Sequence, residues 1–276
     1  MNPQTPFVDH QGFVVPPRSI TLWWLGQAGF VVKSPAGARI VIDPYLSDSC
    51  AAIGRDAGFN MNRIVPPPIS PQELVGVNLF LLTHSHQDHA DPDTILPYLK
   101  AGGKATFVAP LQTAEKLRKL HVDDRYIHKI QPSQHIQFAD LSITVTFAVP
   151  FGGDDLTHVG YLVSVTSGPS VYFTGDTAYE EILHLALAER KPDVLVAVVN
   201  GAFRNMSPAD AARLAKHLDP KRVVPCHHDL FPDNSLPANL LRTNLTLHGI
   251  GDRFQPLEHG IPFTFCFDQE SYNIES

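Results

Sequence analysis

Short unbroken apolar runs alternate along the chain with longer segments whose apolar residues recur every three to four positions, a pattern that predicts strands and helices in alternation. Residues 1–18 are rich in proline and polar residues and show no period, so an extended arm is expected ahead of the body. Three β-branched and aromatic runs follow, I-T-L-W-W-L-G, F-V-V-K and R-I-V-I-D-P. Gly26, Gly29 and a turn at 35–37 divide them, which predicts an antiparallel opening to a sheet. Segment 47–70 has no clear period, carries Gly54, Gly58 and a run of three prolines, and reads as a long loop. Such a loop is suited to covering a site, where Arg55 and Arg63 would meet an anionic substrate.

Ser70-Pro71-Gln72-Glu73 has the residues of a capping box and opens a short helix. Beyond it the pattern predicts a buried strand at 79–82, a helix at 91–99 that Pro97 kinks or stops, a strand at 105–110, a helix at 113–120 and a strand at 141–147. The second half continues with strands from 158, at 170–174, 194–199, 222–225 and 262–267, and helices at 179–190, 207–218 and 238–245. The last strand is expected to close a sheet.

The chemistry concentrates where the run 79–82 ends. T-H-S-H-Q-D-H places His84, His86, Asp88 and His89 on one tight turn, and imidazole with carboxylate suits a divalent metal. Protonated histidines so close would repel, so neutral, metal-holding rings are the natural state. Further strands end in ligand types of the same kind: His158 opens one, T-G-D-T places Asp176 after another, and V-V-P-C-H-H places His227 and His228 after a third. A carboxylate binds two cations through its two oxygens, which suits Asp176 to a bridging position. Strand alternation keeps His227 and His228 from both facing the metal. Ligand types from both halves converge on one site, so residues 19–276 read as a single domain.

The His-x-His-x-Asp-His run after a strand resembles the metal-binding motif of the metallo-β-lactamase superfamily. That resemblance implies an α/β fold, an αββα sandwich with a one- or two-metal site at one edge. It also implies His84, His86 and His158 on one metal, Asp88, His89 and His227 on a second, and Asp176 between them. By the same resemblance Asp43 lies under the metal loop and orients it, where a plain strand-end turn is the alternative. W-L-G-Q-A-G-F followed by I-D-P-Y-L-S resembles the start of the superfamily's lactonase-like members, and V-N-G-A-F-R-N-M-S with P-C-H-H-D-L-F-P-D-N resembles the L-ascorbate-6-phosphate lactonase branch. The implied activity is opening of a lactone or similar ester of a small molecule, phosphorylated or not, by a metal-activated water, with Asp88 as proton acceptor. The implied cofactors are two divalent metal ions, zinc or manganese, with iron as a further option. Arg204, between a strand end and a helix beginning at Ser207, is the candidate to hold an anionic group of the substrate together with that helix end.

Composition narrows the rivals. At 276 residues, 43% apolar and 18% charged, the chain is an ordinary globular protein able to bury a full core. Its net charge of −7 argues against a nucleic-acid surface, which counts against a phosphodiesterase of the same superfamily acting on such substrates. A non-hydrolytic di-metal binding or redox protein is the alternative of a different class. No apolar run approaches the roughly 20 residues of a membrane span, and the start lacks the basic and apolar regions of a signal peptide, so a cytoplasmic location is expected. The three cysteines are widely spaced and suggest neither a disulfide framework nor a zinc knuckle. Partners are expected to be a small-molecule substrate, no nucleic acid and no membrane, with self-association into a homo-oligomer left open.

Overall fold

The computed structural model describes residues 9–150 and 155–267. The chain opens as the expected antiparallel meander, β1 (Ser19–Gly26), β2 (Gly29–Lys33) and β3 (Arg39–Ile42). After α1 (Cys50–Ala57) it adds parallel strands β4 (Leu79–Leu81), β5 (Thr106–Ala109) and β6 (Ile127–Lys129), with α2 (Pro92–Lys100) and α3 (Leu111–Lys119) in the crossovers. A second sheet forms from the antiparallel strands β7 (His135–Phe138), β8 (Leu141–Phe147), β9 (Val159–Val165) and β10 (Ser170–Phe173). It continues in parallel with β11 (Val194–Val198) and β12 (Arg222–Cys226), with α4 (Ile182–Leu185) and α5 (Pro208–Leu218) between these strands. After α6 (Asn239–Leu247), β13 (Pro262–Cys266) returns to the first sheet and pairs antiparallel with β1.

The sheet orders are β13-β1-β2-β3-β4-β5-β6 and β12-β11-β10-β9-β8-β7. Period-two alternation divides the apolar residues between two interiors. Ile20, Leu22 and Trp24 of β1 face the cluster shared with the second sheet, whereas Trp23 and Leu25 join Phe80, Ile95, Tyr98 and Leu117 under α2 and α3. Helices on the outside of two packed sheets give the α/β sandwich that was expected, as one domain. Both sheets become parallel where β3, β4, β10, β11 and β12 lie. Crevices at the carboxyl ends of such strands are where open α/β sheets bind ligands.

Several elements differ from the reading of the sequence. Segment 47–70 is not one loop, because α1 forms within it and ends at Gly58, which takes a left-handed φ of 82°. Gly54 hid this helix: it breaks helical propensity, yet a Cβ there would come within 2.5 Å of Met61. Pro97 does not stop α2, which runs on to Lys100. The amide that proline lacks would have bonded the carbonyl of exposed Asp93, on the solvent side, while Ile95 and Tyr98 stay buried. The helix expected at 179–190 is only the short α4. No side chain caps it at Glu181, and the chain continues in three-residue turns such as Arg190 N to Leu187 O at 2.9 Å. Residues 1–8 of the expected arm lie outside the described residues, but 9–18 pack on the body. Phe13 meets Trp23 edge-on at 5.2 Å, and Lys33 Nζ donates to the carbonyls of His10 and Gln11 at 3.0 and 2.7 Å.

Candidate metal centre

The loop after β4 is held from several sides. Leu82 N bonds Val108 O at 2.9 Å, continuing the sheet, and Thr83 N donates to Asp43 Oδ1 at 2.8 Å. Asp155 accepts from Ser85 N at 2.8 Å, Lys116 Nζ donates to Ser85 O at 2.7 Å, and Ala90 N closes a turn on His86 O at 2.9 Å. Asp91 then caps α2 through Asp93 N at 3.0 Å and Thr94 Oγ1 at 2.6 Å. The loop therefore presents its side chains from a fixed frame.

Two groups of ligand atoms form on it. His84, His86 and His158 each bring one nitrogen within 4.8 Å of the others, and a carboxylate oxygen of Asp88 meets a nitrogen each of His89 and His227 within the same distance. Asp176 touches both groups through different atoms: its Oδ1 is 3.5 Å from His89 Nε2 and its Oδ2 3.4 Å from His227 Nε2 in the second group, and its main-chain carbonyl meets His158 of the first. A third group, Asp43 with His84 and His89, is the support beneath them. Asp43 accepts from His89 Nδ1 at 2.8 Å and from the Thr83 hydroxyl, whose oxygen lies 3.0 Å from His84 Nδ1. His158 Nδ1 donates to the Asp176 carbonyl at 3.0 Å. With Nδ1 of these three rings so engaged, each Nε2 is turned to the site, which is how outer partners fix a ligating histidine.

Buried partnerless atoms test whether a metal fits. His89 Nε2, His158 Nε2 and Asp176 Oδ1 are shut off from solvent with no hydrogen-bond partner, which is costly unless something binds them. The charges agree. Burial, then the nearby His89 and His158, push His84 well below its ordinary range and keep it neutral. Burial opposes charge on His89 and His227, but Asp176 and Asp88 overcome it, raising His89 well above its ordinary value and His227 to about 9. Without a metal, protons on these rings balance the two carboxylates, and a divalent cation would take their place. Nitrogen and carboxylate donors of this kind suit zinc, manganese or iron.

Every residue expected to ligate reaches this site, and Asp43 lies beneath the loop. His227 arrives by a different route than strand alternation. β12 ends at Cys226, and His227 takes a left-handed φ of 62° that swings its ring inward. His228 instead packs on Trp24, centroids 4.7 Å apart, and bonds Asp229 at 2.8 Å. Arg204 is not brought to the site. It is exposed and absent from the cavity wall, and the end of α5 that was to help it is already filled by the Ser207 and Asp210 side chains. Arg63 turns away as well, donating to the carbonyls of Tyr45 at 2.7 Å and Val65 at 3.1 Å, and Arg55 is absent from the cavity wall.

Two contacts escaped the sequence reading. Gln27 Nε2 donates to Asp88 Oδ2 at 2.7 Å, and Asn205 Nδ2 donates to Asp176 Oδ2 at 2.6 Å. Both lie in quoted segments, W-L-G-Q-A-G-F and V-N-G-A-F-R-N-M-S, as polar residues in turns beside buried strands. Asn200 and Asn234, from two of those segments, bond each other at 2.6 Å. A cavity of about 690 Å3 opens in front, with His86, Asp88, His158, Asp176 and His227 on its floor.

A family model described as the beta-lactamase superfamily domain matches residues 38–228, which contain all of these ligand candidates. The chain belongs to the metallo-β-lactamase superfamily. It is 30% identical over 220 residues to a UPF0173 metal-dependent hydrolase of Myxococcus xanthus, covering 76% of this chain and 70% of that protein. It is 29% identical over 257 residues to another of Polaromonas, with 86% of each chain covered. The fold is shared with Igni18, a metallo hydrolase of Ignicoccus hospitalis, at TM-score 0.71, 20% identity, 91% of this chain and 100% of that one. It is shared equally with an isothiocyanate hydrolase from Delia radicum gut bacteria, at TM-score 0.71, 22% identity, 89% and 99%. This superfamily member is a metal-dependent hydrolase. Among its described residues no helix is long and apolar enough to cross a membrane.

Proposed function

We propose that the enzyme opens a lactone or similar ester of a small molecule, using two divalent ions held by His84, His86 and His158 and by Asp88, His89 and His227, with Asp176 shared. The observation that supports it is that two donor groups line one open cavity together with Asp176, whose carboxylate lies against the second group. When bound, such ions bring the pKa of a bound water to about 7 and polarise an acyl oxygen. Asp88, held below the ordinary carboxylate range by His89 and His227 against its burial, is ionised and ready to accept the proton that the attacking water gives up. Gln27 ties Asp88 through Oδ2, leaving Oδ1 for that proton. Attack at the acyl carbon breaks the ring C–O bond, and the departing alkoxide recovers the proton from Asp88. Asn205 keeps the Asp176 carboxylate in register between the two groups.

The L-ascorbate-6-phosphate lactonase branch is the finer reading, supported by V-N-G-A-F-R-N-M-S and P-C-H-H-D-L-F-P-D-N. A phosphate on the substrate would have to meet Lys116 and Lys119 of the cavity wall in place of Arg204. Hydrolysis of a panel of lactones, carboxylic esters and phosphodiesters by the zinc- and manganese-loaded protein tests the proposal. Turnover of lactones or carboxylic esters is expected, and turnover of phosphodiesters alone would overturn it.

A further inference from the structure

Two helices of opposite chemistry line the cavity. α1 turns Cys50, Ile53, Gly54 and Ala57 toward it, positions 0, 3, 4 and 7 of one helical face and all uncharged. α3 turns Gln112, Glu115, Lys116 and Lys119 toward it, the same spacing on a face that is wholly polar. The apolar wall extends past α1 through Phe59 and Met61, and Phe203 reaches over from the loop ahead of α5 to meet Phe59 edge-to-face at 5.7 Å. Ile53, Phe59 and Phe203 are 54%, 41% and 61% exposed, so this wall is an uncovered apolar surface directly beside the ligand residues. Contiguous apolar surface of this kind marks a binding face. A cavity near 690 Å3 admits a molecule with a substantial side group.

We infer that the substrate is amphipathic: an ester or lactone bearing an alkyl or aryl group of several carbons, laid against α1, Phe59 and Phe203, with its polar end toward α3. This rests on the hydrolase reading above and names an amphipathic substrate class for it in place of the phosphorylated sugar lactone that the branch resemblance suggests. Among the described residues the cavity wall has no arginine, and its lysines stand on the α3 side only, next to Glu115. A small, highly charged sugar phosphate would leave the α1 wall in water. An apolar group that covers it gains on the order of three- to fourfold in affinity per buried methylene.

The test uses the metal-loaded protein and two readouts. Calorimetric binding of propionate and octanoate, carboxylates that need no turnover, reads the wall alone. Octanoate is expected to bind at least tenfold tighter, and the gap is expected to collapse in Ile53→Gln, which keeps side-chain size at an exposed helical position. Hydrolysis of γ-valerolactone and γ-decalactone reads the same preference in kcat/KM, with the ratio favouring the longer lactone in the wild type and falling about tenfold in Ile53→Gln. Equal binding of the two acids, or a gap unchanged by Ile53→Gln, overturns the inference, as does a preference for short or phosphorylated lactones. If octanoate is preferred but no ester or lactone is cleaved, the reaction assigned above fails while the apolar wall stands. If both lactones are cleaved alike and the acids bind alike, the wall fails and the reaction stands.

Discussion

Asp43→Asn removes one negative charge beneath the loop and little else. Asparagine tolerates the left-handed φ of 39° at this position, so the backbone has no reason to move. Its oxygen still accepts from Thr83 N, now 2.8 Å from Oδ1. The amide that replaces Oδ2 faces two donors, the Thr83 hydroxyl and His89 Nδ1 at 2.8 Å. The hydroxyl can rotate and accept. The imidazole can accept only by moving its proton to Nε2, the atom that must be bare to ligate. Support of this kind is worth about 10- to 100-fold in metal affinity, or roughly 1.4 to 2.7 kcal/mol. Titration of stripped protein with zinc against a chromophoric chelator measures the change, and circular dichroism confirms that the fold persists. The ion on the group containing His89 should account for the loss. Affinity within a factor of three of wild type, with the fold intact, would refute the assignment of Asp43 as the residue that sets the His89 tautomer.

His227→Ala should lose metal from the group of Asp88 and His89, whereas His228→Ala should keep both ions and lose about 1 to 2 kcal/mol of stability with its packing on Trp24 and its bond to Asp229; metal analysis and chemical unfolding separate the two. Asp176→Asn should loosen both ions, and two tightly held ions per chain in that variant would remove it from the shared position. His259 is shut between Trp24 and Arg63, and burial, then Arg63, lowers it from 6.5 to about 4. Because its folded value is depressed, the stability it contributes is complete above pH 6.5 and is lost as the pH falls toward 4, at most about 3 kcal/mol. Urea unfolding between pH 7 and 4 should show a shallower decline in His259→Gln than in wild type.

What could be read from the sequence was what is local in it. His84, His86, Asp88 and His89 sit within one turn, and the buried strand ahead of them signals how they are presented. Their support is not local: Gln27 reaches Asp88 across 61 positions and Asp43 reaches His89 across 46, so no spacing announces either bond. α1 was lost to Gly54, whose missing side chain serves a contact with Met61 that only the folded chain has. Arg204 illustrates the opposite error. Its neighbours Phe203 and Asn205 enter the cavity wall, and a left-handed φ of 63° at Arg204 accompanies a turn that leaves it on the outside. Strand pleating separates His227 from His228 only while the strand lasts, and it ends one residue too early, at Cys226; the resemblance of V-P-C-H to the family pattern is what points to His227.

The central claim is that hydrolysis depends on divalent ions held by these two donor groups. The direct measurement is reconstitution of chelator-stripped protein, following hydrolysis of a reactive γ-lactone against equivalents of zinc or manganese added. The account predicts no turnover in stripped protein, a rise with added metal that levels off at about two equivalents per chain, and no recovery in His84→Ala or His89→Ala at the same metal concentration. Full turnover by protein shown by elemental analysis to be metal-free would contradict it.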